Sequence, residues 1–180
     1  NEKDNIMPLV SALDRVMTGM RWEVIFVDDD SPDGTSDVVR NIATSDPRVR
    51  CVQRVRRRGL SSACMEGVLA SSSPCLCVMD SDLQHDEGVI PEMYRALTVD
   101  KLDLVIGSRY SGTGSTGTLS GNRKFISLVA TRISQLLLRV NITDPMSGFF
   151  MFTRPFFEKV MYDVSGKGFK ILLDIMVSSH

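Results

Sequence analysis

Cys75-Leu76-Cys77-Val78-Met79 runs straight into Asp80-Ser81-Asp82-Leu83-Gln84-His85-Asp86. The apolar run has the character of a buried strand. It delivers two carboxylates, and an amide oxygen two residues later, to a sheet edge. Carboxylate and amide oxygens at alternate positions suit a hard divalent cation, Mg²⁺ or Mn²⁺, that keeps open positions for a substrate's phosphates. Acidic residues also serve as loop polar groups and helix caps. Placement directly behind a buried strand, with Gln84 adding a third oxygen, favours the metal reading. Asp80, Asp82 and Gln84 are therefore the candidate metal ligands. His85 is a loop residue or a support for them, because hard cations prefer oxygen.

Outward from this strand the chain alternates strands and helices. On the N-terminal side, Ile6, Leu9, Val10, Leu13, Val16 and Met17 recur at helical spacing, with Asp4 as the expected N-cap. A strand follows at Val24-Ile25-Phe26-Val27, then the loop Asp28-Asp29-Asp30-Ser31-Pro32-Asp33-Gly34-Thr35. The pattern predicts helices over 37–44, 60–71 and 88–97, strands over 49–55 and 104–106, and a long helix over 123–139. Such alternation indicates an α/β fold with a mostly parallel sheet flanked by helices, which binds ligands beyond the carboxyl ends of its strands. Both acidic loops, at Asp28 and at Asp80, fall at such ends. A parallel nucleotide-binding sheet ordinarily opens with a strand, whereas the first element here is a helix. Residues 1–180 are thus expected to form a single domain cut at both ends, with its first strand missing.

The chain has 180 residues, 43% of them hydrophobic, and a net charge of −1, which favours no nucleic-acid partner. Locally the balance differs: Arg48, Arg50, Arg54, Arg56, Arg57 and Arg58 crowd one stretch. Such a run either faces phosphates or an anionic membrane, or is a solvated surface. Cys51, Cys64, Cys75 and Cys77 form neither a zinc-type pair nor a disulfide framework, which fits a reducing, cytoplasmic setting. No apolar stretch approaches the ~20 residues that span a bilayer.

Further constellations sit near strand ends. Three adjacent acids, Asp28, Asp29 and Asp30, repel one another, so helix N-termini, a cation or a ligand's hydrogen-bond donors must offset them; an Asx-turn is the compatible alternative. Gly107-Ser108-Arg109-Tyr110 ends a strand and places Arg109 to hold a diphosphate. Arg123 and Ser127 share one face at the start of the long helix, an arrangement that suits an anion or an exposed helix surface equally. Gly112-Thr113-Gly114-Ser115-Thr116-Gly117 is a literal GxGxxG, but no helix starts directly at it. It fits a lid loop better. Asp144-Pro145-Met146-Ser147-Gly148-Phe149-Phe150 is a turn entering a strand.

Together these motifs resemble the dolichol-phosphate mannosyltransferase-like branch of the family 2 glycosyltransferases. Val27-Asp28-Asp29-Asp30-Ser31-Pro32-Asp33-Gly34-Thr35 is similar to its VDDGSPDGT loop, and Asp80-Ser81-Asp82-Leu83-Gln84-His85 to its DADLQH motif. Gly107-Ser108-Arg109-Tyr110, Asp144-Pro145-Met146-Ser147-Gly148-Phe149 and Gly168-Phe169-Lys170-Ile171-Leu172-Leu173-Asp174 complete the match. The resemblance implies a GT-A fold and the inverting, metal-dependent transfer of a sugar from a nucleotide-sugar of the GDP-mannose or UDP-glucose class to a polyprenyl phosphate. It implies that Asp80, Asp82 and Gln84 hold Mg²⁺ or Mn²⁺, and that Asp28 or Asp29 contacts the nucleoside. Glu2 matches the last residue of the family's PTYNE segment. Arg109, Arg123 and Ser127 match the phosphate-binding arginines and serine, and Asp174 is the candidate base. A membrane-associated protein at the cytoplasmic face follows from the same resemblance. Asp30 stands where the family has glycine, and Ser81 where it has alanine; neither change removes a ligand. Two other readings compete: a DxD phosphatase, which ordinarily carries threonine or valine where Gln84 stands, and a nucleotide-sugar binding module without activity.

Overall fold

The computed structural model describes residues 1–107 and 148–162. A short 3-10 turn, Lys3–Asn5, leads into α1 (Ile6–Val16). Neither Asp4 nor Asn5 caps it through a side chain; the turn supplies the entry instead. There follow β1 (Val24–Asp28), α2 (Thr35–Ala43), β2 (Val49–Gln53), α3 (Leu60–Ala70) and β3 (Cys75–Val78). A second 3-10 turn, Glu87–Val89, opens on Asp86, whose side chain accepts from the Gly88 amide. It precedes α4 (Ile90–Thr98), β4 (Leu104–Ile106), β5 (Phe150–Thr153) and α5 (Arg154–Val160). The predicted helix over 123–139 and the GxGxxG loop lie outside the described residues.

β1 and β2 pair in parallel, Val24 opposite Val49 through Asp28 opposite Gln53, with α2 as their crossover. β5 lies between β3 and β4 and runs antiparallel to both, Val78 and Ile106 each opposite Phe150. β3 and β4 therefore point the same way. The reversed β5 brings its N-terminal end to the edge where β3 and β4 have their carboxyl ends.

Strand periodicity sorts the core into two layers. Val105 and Met151 face α1, α2 and α4, packing with Ile6, Leu13, Phe26, Val39 and Met93. Leu104, Ile106, Phe150 and Phe152 face the other way, onto Val68 of α3 and onto Phe156, Phe157 and Val160 of α5. Each large apolar side chain buried this way contributes about 1.5–3 kcal/mol. α3 also packs on β1: a Cβ built at Gly67 would stand 3.0 Å from Val27. The Thr153 hydroxyl accepts from the Phe156 amide and caps α5.

Candidate active site

Asp80 lies two residues past the end of β3, after Met79, and its carboxylate is 40% exposed. Three motifs that are distant in sequence meet around it. A Cβ built at Gly148 would lie 2.3 Å from Asp80 Oδ2, so the Gly148 backbone is pressed against the carboxylate. Phe149 fills the space beside Gly107, where a Cβ would lie 2.4 Å from its ring, and the Gly107 amide donates to the Phe149 carbonyl at 2.8 Å. His85, nearly enclosed, places Nε2 3.5 Å from Asp80 Oδ2 and its ring 5.1 Å from that of Phe149. The reversed direction of β5 is the cause: it returns the Gly148-Phe149 turn to the edge that carries Asp80 and Gly107.

Asp82 sits two residues on, with Oδ1 accepting from the Gln84 amide at 3.0 Å, an Asx-turn that leaves the Gln84 side chain exposed. Among the described residues no three His, Cys, Asp or Glu side chains converge on one point. The donors available are therefore two partly exposed carboxylates and an amide, all hard oxygen ligands, with the Gly148 backbone against the first carboxylate. That set fits a Mg²⁺ or Mn²⁺ ion that takes its remaining ligands from phosphate and water.

The second acidic loop ends β1, and each of its three acids has its own counterpart. Asp28 is buried, and its Oδ2 accepts from the Ser31 amide at 3.1 Å and the Ser36 hydroxyl at 2.5 Å. Burial pushes its carboxyl up, but the hydrogen bonds from Ser31 and Ser36 outweigh it and hold it below the usual aspartate value. Asp28 thus does the structural work of tying the loop to α2. Asp29 pairs with Arg54, Nε to Oδ1 2.8 Å, and accepts from the Gly59 amide at 2.9 Å. Asp30 accepts from the Gln53 side-chain amide at 2.7 Å. Glu2 lies alongside, its amide donating to Thr35 Oγ1 at 3.1 Å and its carboxylate accepting from Asn5 Nδ2.

The two loops flank the first turns of α3. Cys64, on that helix, has its thiol pushed up to about 11 by burial, with the negative charge of Asp80 adding to the shift and Arg54 opposing it. All four cysteines are free. The arginine run is not one patch. Arg48 bridges Asp14 and Asp46 and lies over the Trp22 ring, Arg50 pairs with Glu23, Arg57 with Glu66, and Arg54 is buried. Arg109, Arg123, Ser127 and Asp174 lie outside the described residues. Sequence reasoning named Arg54 only within the basic run, as facing phosphates, a membrane or solvent, and foresaw neither its burial nor the close packing at Gly148. A lone arginine within a basic run carries no signal of burial.

The family model "Glycosyl transferase family 2" matches residues 1–161. The chain belongs to glycosyl transferase family 2. It is 36% identical over 179 residues to a dolichol-phosphate mannosyltransferase of Pyrococcus furiosus, covering 98% of this chain and 50% of that protein. It is 35% identical over 184 residues to the enzyme of the same name from Saccharomyces cerevisiae, covering 98% and 66%. The chain thus spans about half to two thirds of the length of these relatives. Among solved structures it is similar to Mycobacterium tuberculosis glucosyl-3-phosphoglycerate synthase in complex with Mn²⁺, UDP-glucose and phosphoglyceric acid, with a TM-score of 0.67 at 19% identity over 99% of this chain and 61% of that one. It also resembles a Pyrobaculum calidifontis mannosyltransferase in complex with GDP-mannose and Mn²⁺, with a TM-score of 0.58 at 19% identity over 88% and 43%. The fold is the GT-A fold of glycosyltransferases, as the sequence motifs imply. No described helix is long and apolar enough to cross a membrane.

Proposed function

We propose that this chain is the catalytic domain of an inverting glycosyltransferase that moves a hexose from a nucleotide-sugar to a polyprenyl phosphate at a membrane surface, on its cytoplasmic face. One observation carries the reading. Asp80, Gly107 and Gly148-Phe149, from three motifs far apart in sequence, are packed together at the carboxyl end of β3 and β4. The likeness to dolichol-phosphate mannosyltransferases at 35–36% identity supports the lipid phosphate as acceptor. A donor of the GDP-mannose or UDP-glucose class is consistent with the ligands named for the structural relatives.

In this reading Asp80, Asp82 and Gln84 hold Mg²⁺ or Mn²⁺. When bound, the ion neutralises charge on the donor's diphosphate. Asp29 and Glu2 receive the nucleoside, while Asp28 stays committed to the loop. Arg109, Arg123 and Ser127 donate to the leaving diphosphate, where negative charge grows as the glycosidic bond breaks. The acceptor phosphate is already ionised at neutral pH, so the demand on a base is small; Asp174 meets it where needed. Attack from the face opposite the leaving diphosphate inverts the anomeric carbon.

A donor panel tests this. The full-length protein that carries this chain is incubated with polyprenyl phosphate, Mn²⁺ and each nucleotide-sugar, and the lipid phase is extracted and analysed. One donor is expected to give a glycolipid. No glycolipid with any donor, or hydrolysis of a simple phosphate ester without nucleotide-sugar, would refute it.

A further inference from the structure

Arg54 is the largest fully buried side chain among the described residues, 1% exposed. A buried cation is costly unless it is paired and hydrogen-bonded. Arg54 follows β2, and its amide extends the ladder by donating to the Asp28 carbonyl at 2.8 Å. Its guanidinium reaches into the space between the end of β1 and the start of α3. Nη1 donates to Ser62 Oγ at 2.9 Å and lies 3.6 Å from Glu66 Oε1. Nη2 donates to Asp29 Oδ2 at 3.3 Å and to the Gly59 carbonyl at 3.4 Å. Nε lies 2.8 Å from Asp29 Oδ1, yet the two atoms are not aligned as a hydrogen bond, and each is enclosed without another partner.

Asp29 is thus gripped at both oxygens, Oδ1 enclosed against Nε and Oδ2 accepting from Nη2 and the Gly59 amide, while its side chain keeps 30% of its surface exposed. Glu66 is shared with Arg57 at 2.7 Å. The charges of Arg54, Arg57, Asp29 and Glu66 cancel, so this group offers no net attraction to a phosphate. What it offers is a fixed acceptor, suited to the N–H groups on a nucleoside's base edge.

We propose that Arg54 is a positioning residue for donor recognition. It presets the Asp29 carboxylate as the acceptor for the donor's nucleoside, and so governs affinity for the nucleoside and not for the diphosphate. The inference deepens the function proposed above and rests on it.

Calorimetric titration of the full-length protein in Mn²⁺ with GDP, UDP and pyrophosphate separates these roles. The variants are Arg54→Lys, which keeps the charge but loses the fork, and Ser62→Ala, which removes one guanidinium contact with little risk to folding. Melting without nucleotide serves as the control. Arg54→Lys is expected to weaken whichever nucleoside diphosphate the native protein binds by about tenfold or more, as for a charged hydrogen bond, while pyrophosphate affinity stays within about twofold. Ser62→Ala is expected to weaken the same ligand by about threefold with its melting midpoint unchanged, and this arm decides if Arg54→Lys does not fold. Native binding of GDP or UDP that both variants retain in full overturns the inference alone. So does an equal loss of pyrophosphate. No binding of either nucleotide to the native protein overturns the donor reading and this inference with it.

Discussion

Replacing Gly148 by alanine would set a methyl carbon 2.3 Å from Asp80 Oδ2, 3.0 Å from its Cγ and 3.2 Å from Oδ1. Ordinary carbon–oxygen contact begins near roughly 3.3 Å, so the nearer oxygen must retreat by about 1 Å. The atoms in the way end a short side chain that is 40% exposed, and the carboxylate can swing without disturbing the core. The cost to folding is therefore small, within about 1 kcal/mol. The cost to the site is not. Ligand-to-metal distances for Mg²⁺ are held at roughly 2.0–2.1 Å, a displacement of about 1 Å is about half of that bond, and disturbed ligand support typically costs about 10–100-fold in affinity. Catalysis is expected to fall by about 10²-fold, as for other misplacements on the 1 Å scale. Manganese binding followed by electron paramagnetic resonance, beside a urea titration, checks both halves. Gly148→Ala with native Mn²⁺ affinity would refute the argument that this backbone seats Asp80. So would a loss of affinity fully explained by unfolding.

Three further outcomes follow from the packing and charges. Gly107→Ala would drive a Cβ to 2.4 Å from Phe149 Cδ1, and that ring is 3% exposed; about 1–3 kcal/mol of stability should be lost, read as a lower urea midpoint. Asp28 has its carboxyl held below the usual value, so its contribution is complete above the unfolded value and is lost as pH falls through the folded one. Asp28→Asn should cost about 1 kcal/mol at pH 7 and make stability less steeply dependent on pH below about 4; equal acid sensitivity in both proteins would contradict it. Cys64, with its thiol raised to about 11, should react slowly with iodoacetamide at pH 8 in the folded protein and readily in urea, as mass spectrometry of the labelled peptides would show.

Strand ends were legible because apolar runs such as Val24-Ile25-Phe26-Val27 stop abruptly at acids, and β1 and β3 lie where those runs predicted. The helices followed from spacing, with boundaries shifting by a few residues as 3-10 turns took over at Lys3–Asn5 and Glu87–Val89. Strand direction was less accessible. Phe150-Met151-Phe152 reads as a strand, but only the pairing with both β3 and β4 makes it antiparallel and returns Gly148 to Asp80. Partners were hidden for a related reason. Six arginines in one stretch have one composition, yet Arg48 covers Trp22, Arg50 meets Glu23 and Arg54 enters the interior. Contacts between residues 25 or more apart, as for Asp29 and Arg54, are set by the sheet and not by local pattern. The acids at 28–30 posed a question of repulsion that sequence framed and that Ser31, Ser36, Gln53, Arg54 and the Gly59 amide answered.

The central claim is that the carboxylates behind β3 serve metal-dependent sugar transfer to a lipid phosphate. Its most direct measurement is glycolipid formation by the full-length protein, native and Asp82→Ala, after chelation with EDTA and again after Mn²⁺ is restored. The native protein should lose the product with chelation and regain it with Mn²⁺, while Asp82→Ala should make almost none in either case. Product that persists through chelation, or that Asp82→Ala makes at the native rate, would contradict the claim.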